Sequence, residues 1–325
     1  MDAARLKELH KPTQSNMPAL LINLAGVAIG TATLATAWPT DHWLWTIAAI
    51  IWLSYFQHTW MMIFHSDAHY SMYEGKWHNI RSGIIVGTFI MVPFSVYKAM
   101  HLHHHKHSLD ADDWELWPYC DPRRSLAFRR VFVIFDLLFG QLVGLYIYNR
   151  IFFVRHSPIR DPKLRNFIWI QYAIIFLFWG AVFGLVAYYG AWWMFAKVYL
   201  IPAWLTGSVQ TVRKLTEHLG LPAGPAMFGA RTVIPKSLVG QAVNYTSMGV
   251  PGHGIHHRFP KIPMNNLHDA HELQRDEVAG APVFRSHVAA MLDMCRYLAN
   301  PGAGVNAPVP LAHSASQSGA QGMGA

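Results

Sequence analysis

With 325 residues, 52% of them hydrophobic and 14% charged, the chain falls well short of the roughly 25% charged residues of an average soluble domain, which excludes an ordinary water-soluble enzyme. Its two cysteines, Cys120 and Cys295, are too few for a disulfide framework or for an iron–sulfur or rubredoxin site built on four thiolates. A formal charge of +8 in so apolar a chain points to basic loops beside anionic lipid and away from nucleic acid.

Residues 1–16 are polar, carry no evident cleavable signal, and are expected on the cytoplasmic side. Residues 17–38 contain no ionisable side chain and are about long enough to cross a hydrocarbon core of ~30 Å. A second run, 43–64, is interrupted only by Gln57 and His58. The runs 167–189 and 191–207, the latter holding Lys197, follow later. Lys and Arg are missing from 12–75 and from 166–196, and basic residues flank both gaps. By the positive-inside rule each gap is a helical hairpin with both ends cytoplasmic, which gives four spans.

Two further apolar stretches compete with these. Residues 83–97 are short and contain Pro93, and they read as an in-plane or re-entrant segment. Residues 131–148 lie between Arg129/Arg130 and Arg150 with Asp136 inside, and they read as one interfacial amphipathic helix. Residues 208–300 are expected to form a cytosolic cap. Residues 301–325, small, Pro-containing and low in complexity, are expected to form a tail without fixed structure. The fold class is therefore all-α integral membrane: four transmembrane helices in two hairpins, in-plane helices, and a histidine-rich cap around a metal site, within a domain covering 17–300.

Nine histidines stand out by spacing: His65 and His69; His101, His104 and His105; His218; and His253, His256 and His257. The i, i+3 and i, i+4 intervals put side chains on one helix face. The first two clusters follow apolar segments, His218 comes eleven residues after the fourth apolar run, and the last trio follows a Gly/Pro-rich turn at the polar end of the chain, so all can meet at one membrane surface. That demand for one shared face is what demotes 83–97 and 131–148 as single spans. Imidazole suits Fe, Zn, Cu and Ni. Nine ligands exceed the three or four of a zinc site and fit two metals, with redox-active iron the leading choice. His103 and His107 fall on other faces and are left out, and His58, His78, His268, His271 and His287 read as structural or solvent-facing.

The motifs H-S-D-A-H, H-L-H-H-H-K-H, the E-H ending at His218, and N-Y-T-S-M-G-V-P-G-H-G-I-H-H-R-F-P-K-I-P-M-N-N-L resemble those of the membrane fatty acid desaturase superfamily, with its related hydroxylases and ketolases, over roughly residues 45–300. The resemblance implies a four-span mushroom with a cytosolic cap and a non-haem diiron centre. It implies use of O2 and two outside electrons to attack an unactivated C–H bond of a lipid. Carried over, the nine histidines match the family's ligand positions. Asn244 falls where some members place a polar group near the metals. Asp67 and Glu217 are candidates to orient imidazole N–H groups, whereas Asp110, Asp112 and Asp113 read as a solvated loop.

There are departures from the family pattern. The first box is HxxxH rather than the HxxxxH of animal acyl-CoA desaturases, the third begins with His rather than Gln, and no cytochrome b5 signature is fused. No G-x-G-x-x-G follows a strand pattern, so electrons are expected from a separate ferredoxin or rubredoxin with its reductase. Arg123, Arg124, Arg129, Arg130, Arg213, Lys214, Arg258 and Lys261 can dock an acidic carrier, and 123–130 can equally meet lipid headgroups. Desaturation of a fatty acyl chain is the first reading. Hydroxylation or ketone formation on a fatty acyl, sphingoid or carotenoid chain is the second. A metal transporter or sensor is disfavoured by the scarcity of ligands inside the spans.

Overall fold

The structure, a computed structural model, describes residues 3–12, 16–36, 43–225, 227–248, 252–277 and 280–308, and 68% of the protein is helical. The short α1 (Ala3–Leu9) comes first, and helices α2 (Asn16–Thr36) and α3 (Trp43–His69) form the first hairpin. Apolar burial cannot drive helix pairing inside lipid, so small residues and polar contacts do the work there. Gly26 lies flat against the ring of Phe56. Asn23 donates to the Phe56 carbonyl at 2.6 Å, and the Trp52 indole to the Gly26 carbonyl at 2.8 Å. Asn16, at the start of α2, donates to the carbonyl of Met72 at 3.2 Å. The chain thus enters the hairpin at the end where α3 leaves it.

At ~1.5 Å per residue, the 27 residues of α3 extend about 40 Å, longer than the ~30 Å hydrocarbon core. Its last turns therefore project beyond the apolar stretch, and they carry His65 and His69. Helices α4 (Lys76–Phe89) and α5 (Phe94–Lys106) meet at 105°. Pro93 cannot continue a helix, and Gly83 and Gly87 let Phe94 and the Val92 carbonyl close onto α4. This bent pair has the shape of a broken span or a re-entrant loop, in keeping with the reading of 83–97.

The reading of 131–148 as one helix is corrected. Helices α6 (Leu126–Leu138) and α7 (Gly140–Phe153) are separated at Phe139 and bent by 113°. The corner exists because Gly140 presses backbone to backbone on Gly207 of α10 (Ile201–His218). Helix α8 (Pro162–Tyr188) starts with the Asp161 side chain capping the Lys163 amide. It packs on the α4–α5 pair, with Gln171 bonded to Ser95 and the Trp179 indole to the Thr88 carbonyl.

Among the described residues three helices, α2, α3 and α8, are long and apolar enough to cross a membrane, or five if each bent pair is one span. The expected span at 191–207 lies on a helical path that runs from α9 (Trp192–Phe195) to the end of α10 at His218. A π segment, Ala196–Leu200, interrupts it before Pro202, whose missing N–H breaks the regular ladder. Its second half carries Arg213, Lys214 and Glu217.

The remaining elements are short and lie at the histidine end. They include α11 (Leu238–Thr246), α12 (His253–Arg258), α13 (Leu267–Leu273), α14 (His287–Cys295) and a two-residue parallel pairing of Thr232–Val233 with Val283–Phe284. The expectation of a structureless tail from 301 is corrected for its first residues, and 309–325 lie outside the described residues. The amide of Ala303 bonds to the Tyr119 carbonyl and that of Gly304 to the Leu221 carbonyl. Gly304 has φ +60° and sits where any side chain would strike Leu109. Pro301 is held by Arg129, and Ala299 by Arg130.

Replacing Gly140 with Ala puts a methyl into the Gly207 carbonyl, an overpacking that costs about 1–3 kcal/mol. Gly180, with open space around its Cα, is the control. Thermal unfolding in detergent is expected to show a lower midpoint for Gly140→Ala than for Gly180→Ala. Equal midpoints would contradict the backbone contact.

Candidate metal centre

Three long helices end at the same place. His65 and His69 are on the last two turns of α3, His101, His104 and His105 on the last two of α5, and His218 is the final residue of α10. Helix α10 stops there because Gly220 takes φ +82° with the Tyr297 ring packed where a side chain would be. The short α12 supplies His253, His256 and His257, all buried. Helix C-termini carry about half a negative charge each, so the backbone itself makes this a place for cations.

The nine imidazoles fall into adjoining groups. One nitrogen from each of His65, His69, His101, His105 and His256 lies within 4.8 Å of the others. The same holds for His104, His218 and His257, and again for Glu217, His218 and His253. The His105 and His257 rings, 4.5 Å apart, join the sets.

Hydrogen bonds fix which nitrogen faces inward. His101 Nδ1 meets Glu115 Oε2 at 2.8 Å, His104 Nδ1 meets Asp113 Oδ2 at 2.8 Å, and His218 Nδ1 meets the Gly229 carbonyl at 2.9 Å. Carboxylates and carbonyls only accept, so these Nδ1 atoms donate, and in neutral rings the Nε2 atoms are bare lone pairs. Yet Nε2 atoms meet one another: His101 with His105 at 3.1 Å, His105 with His256 at 3.2 Å, His218 with His253 at 3.0 Å, and His253 with His257 at 3.2 Å. His65 Nε2 and His69 Nε2 are buried with no hydrogen-bond partner at all. Unpaired buried polar atoms cost about 1–3 kcal/mol each. A cation between them relieves the cost, so the donor set fits metal.

The acids around the rings differ from expectation. Asp113, read as part of a solvated loop, is buried and holds His104, and it also accepts from the amides of Leu109, Glu115 and Leu116. Glu115 was not anticipated. Its only signal is an acid set between Trp114 and Trp117, ten residues beyond the second histidine box. Burial would raise its carboxyl, but His101 and His104 hold it below the usual carboxylate range. Glu217 turns toward His253 Nε2 at 3.5 Å and pairs with Arg213. Burial pushes it up to about 7 against the pull of Arg213. Its position makes it a candidate ligand as well as an orienting group.

Asp67 is fully buried and bonds no imidazole. Asn244 accepts from His287 Nε2 at 2.6 Å and lines a separate cavity with Pro235 and His268. His103 and His107 stack on each other at 4.4 Å, and His103 Nε2 donates to the Asp112 carbonyl.

A narrow crevice reaches the rings of His65, His101, His104, His218 and His253 between α7 and α10. A second, apolar crevice lined by Met61, Phe64, Ile90 and Val92 shares Gly140, Gly144, Tyr148 and Gln210 with it. The two adjoin along these residues, one on the histidine side and the other on the apolar side.

The sequence profile described as fatty acid desaturase matches residues 10–288. The chain is 26% identical over 197 residues to the sn-1 oleoyl-lipid 12-desaturase of Synechocystis sp. (strain ATCC 27184 / PCC 6803 / Kazusa), a match covering 57% of this chain and 52% of that protein. The chain thus spans about half the length of the curated relative it matches. With the family profile covering all nine histidines and most of the helices around them, the protein belongs to the fatty acid desaturase family.

Proposed function

We propose that the protein is a membrane-bound oxidoreductase that desaturates a lipid acyl chain with O2 and two electrons from an outside carrier, and that His65, His69, His101, His104, His105, His218, His253, His256 and His257 hold two irons. The observation that carries this reading is the convergence of buried Nε2 atoms in adjoining groups whose outer nitrogens are held by Asp113, Glu115 and a carbonyl. One nitrogen from each of five histidines lies within 4.8 Å of the others, and two further groups, His104, His218 and His257, and Glu217, His218 and His253, share His218, which supports a second position. Irons held there supply the oxidising power to break an unactivated C–H bond. Overall, two hydrogens taken from adjacent methylenes, together with two electrons and two protons, reduce O2 to two waters and leave a double bond.

The chain's own residues do the rest. Asp113 and Glu115 keep His104 and His101 in the tautomer that presents Nε2, and they raise the basicity of those rings. Tyr148 donates to Glu115 at 3.2 Å and fixes the carboxylate. The crevice between α7 and α10 holds an extended chain across the rings, and its apolar end at Phe64, Ile90 and Val92 excludes water. The flanking basic residues set both ends of each hairpin and the site on the cytoplasmic side.

Expression with a compatible reductase, followed by mass spectrometry of the lipids, is expected to reveal products short of two hydrogens. Gain of one oxygen would replace desaturation with hydroxylation on the same centre. Purified protein is expected to hold two irons per chain, with His104→Ala and His256→Ala losing iron and turnover together. Full activity in either variant would remove the ligand assignment.

Glu115→Gln and Asp113→Asn keep a hydrogen-bond acceptor but lose the charge, and iron affinity is expected to fall about 10- to 100-fold. Competition with a chelator measures it, and unchanged retention would make these acids bystanders. Gly144→Leu narrows the shared part of the crevice where an added Cβ meets only the Tyr148 ring at 3.8 Å. It is expected to keep iron and lose turnover of long chains. Unaltered turnover would mean that the substrate takes another route.

A further inference from the structure

A broad surface concavity of about 980 Å³ lies outside the crevice. Its walls come from the loop after α5 and from the turn joining α7 to α8. Six cationic side chains, Lys106, Arg123, Arg124, Arg150, Arg155 and Arg160, face three carboxylates there. Two of the carboxylates are already engaged: Asp121 with Arg123 and Arg124, and Asp113 with His104. Arg150 lies over the Trp117 ring at 4.3 Å. Lys106, Arg155 and Arg160 are exposed and make no ion pair or hydrogen bond among the described residues.

Uncompensated cations on two walls of one groove attract an acidic partner and speed its encounter. The groove also touches the histidine cluster. Asp113 lines it and accepts directly from His104 Nδ1 at 2.8 Å, and Trp114 is the next residue. A partner seated here is one side chain away from a ring of the candidate metal centre. A lipid headgroup satisfies the charge but gives no reason for the groove to abut that ring.

We propose that this groove is the docking site of a small acidic one-electron carrier, which passes electrons inward at the Asp113–His104 edge. The proposal rests on the reading of the protein as an oxidoreductase fed from outside. Each docking oxidises one reduced carrier by one electron, and two dockings supply the two electrons that join two protons and O2.

The test uses the full chain in phosphatidylcholine nanodiscs and a plant-type two-iron ferredoxin as probe. Binding is measured first, without turnover, across a salt series for the native protein and for the double variant Arg155→Glu, Arg160→Glu. The native chain is expected to bind with an affinity that falls steeply with salt, and the variant about 10-fold or more weakly with a flatter salt dependence. Next, ferredoxin-driven turnover is compared with a single turnover after reduction by dithionite. The variant is expected to need more ferredoxin while giving the native single-turnover yield. Equal binding by both proteins, or no binding by the native chain, overturns the docking site. So does a variant whose only change is weaker attachment to vesicles containing phosphatidylglycerol, which would assign the groove to lipid. Ferredoxin binding that depends on the groove, with no product under either reductant, would keep the docking site and sink the proposed reaction.

Discussion

Each imidazole Nε2 carries one proton or one lone pair, so where three of them meet in a row only one contact can be a hydrogen bond, and this protein buries two such rows. Nε2 of His253 lies 3.0 Å from that of His218 and 3.2 Å from that of His257, while His65 and His69 offer theirs to nothing. The C-termini of α3, α5 and α10 add negative potential at the same point. The cluster is suited to hold positive charge. A metal bound there would contribute its binding free energy to holding the segments together. The long α3, the bend at Pro93 and the stop at Gly220 are all means of delivering rings to one location.

The parts of the molecule that follow from period and composition were readable in the sequence. Apolar length gave α2, α3 and α8, and i, i+3 and i, i+4 spacing gave the histidine faces, including the exclusion of His103 and His107. Tertiary contact decided what was not readable. Nothing local marks Gly140 as a corner, because the residue that makes it one is Gly207. The acids divided in the same manner. Asp113 looks like its solvated neighbours until the loop folds it under α5, and Asn244 has a polar partner in His287 that no spacing links to it. Residues 301–308 have the composition of a tail, yet Leu109, Tyr119 and Leu221 give them a place.

The basic residues, which in the sequence form one undivided surplus, serve separate purposes. Arg129 and Arg130 fasten the end of the chain through backbone carbonyls. Lys214 reaches Asp136, which also accepts from Tyr119 and Thr211, and so ties α10 to α6 and the loop before it. Arg213 is held against Glu217 beside the rings. A net charge says nothing of this division, and only the cations left over after such internal pairing shape the protein's outer field.

The contact of Gly140 with Gly207 carries a consequence for the calibre of the crevice. Two main chains touching without side chains between them leave no rotamers to rearrange, so side-chain changes cannot bring α7 and α10 closer at that point. The neighbouring neck at Gly144 inherits that fixed gauge. Side-chain exchange can lengthen or shorten the apolar end around Met61 and Phe64, but the bore is set by backbone. Under the proposed function, substitutions at the apolar end tune how far a chain reaches, whereas the backbone contact limits how thick a chain fits.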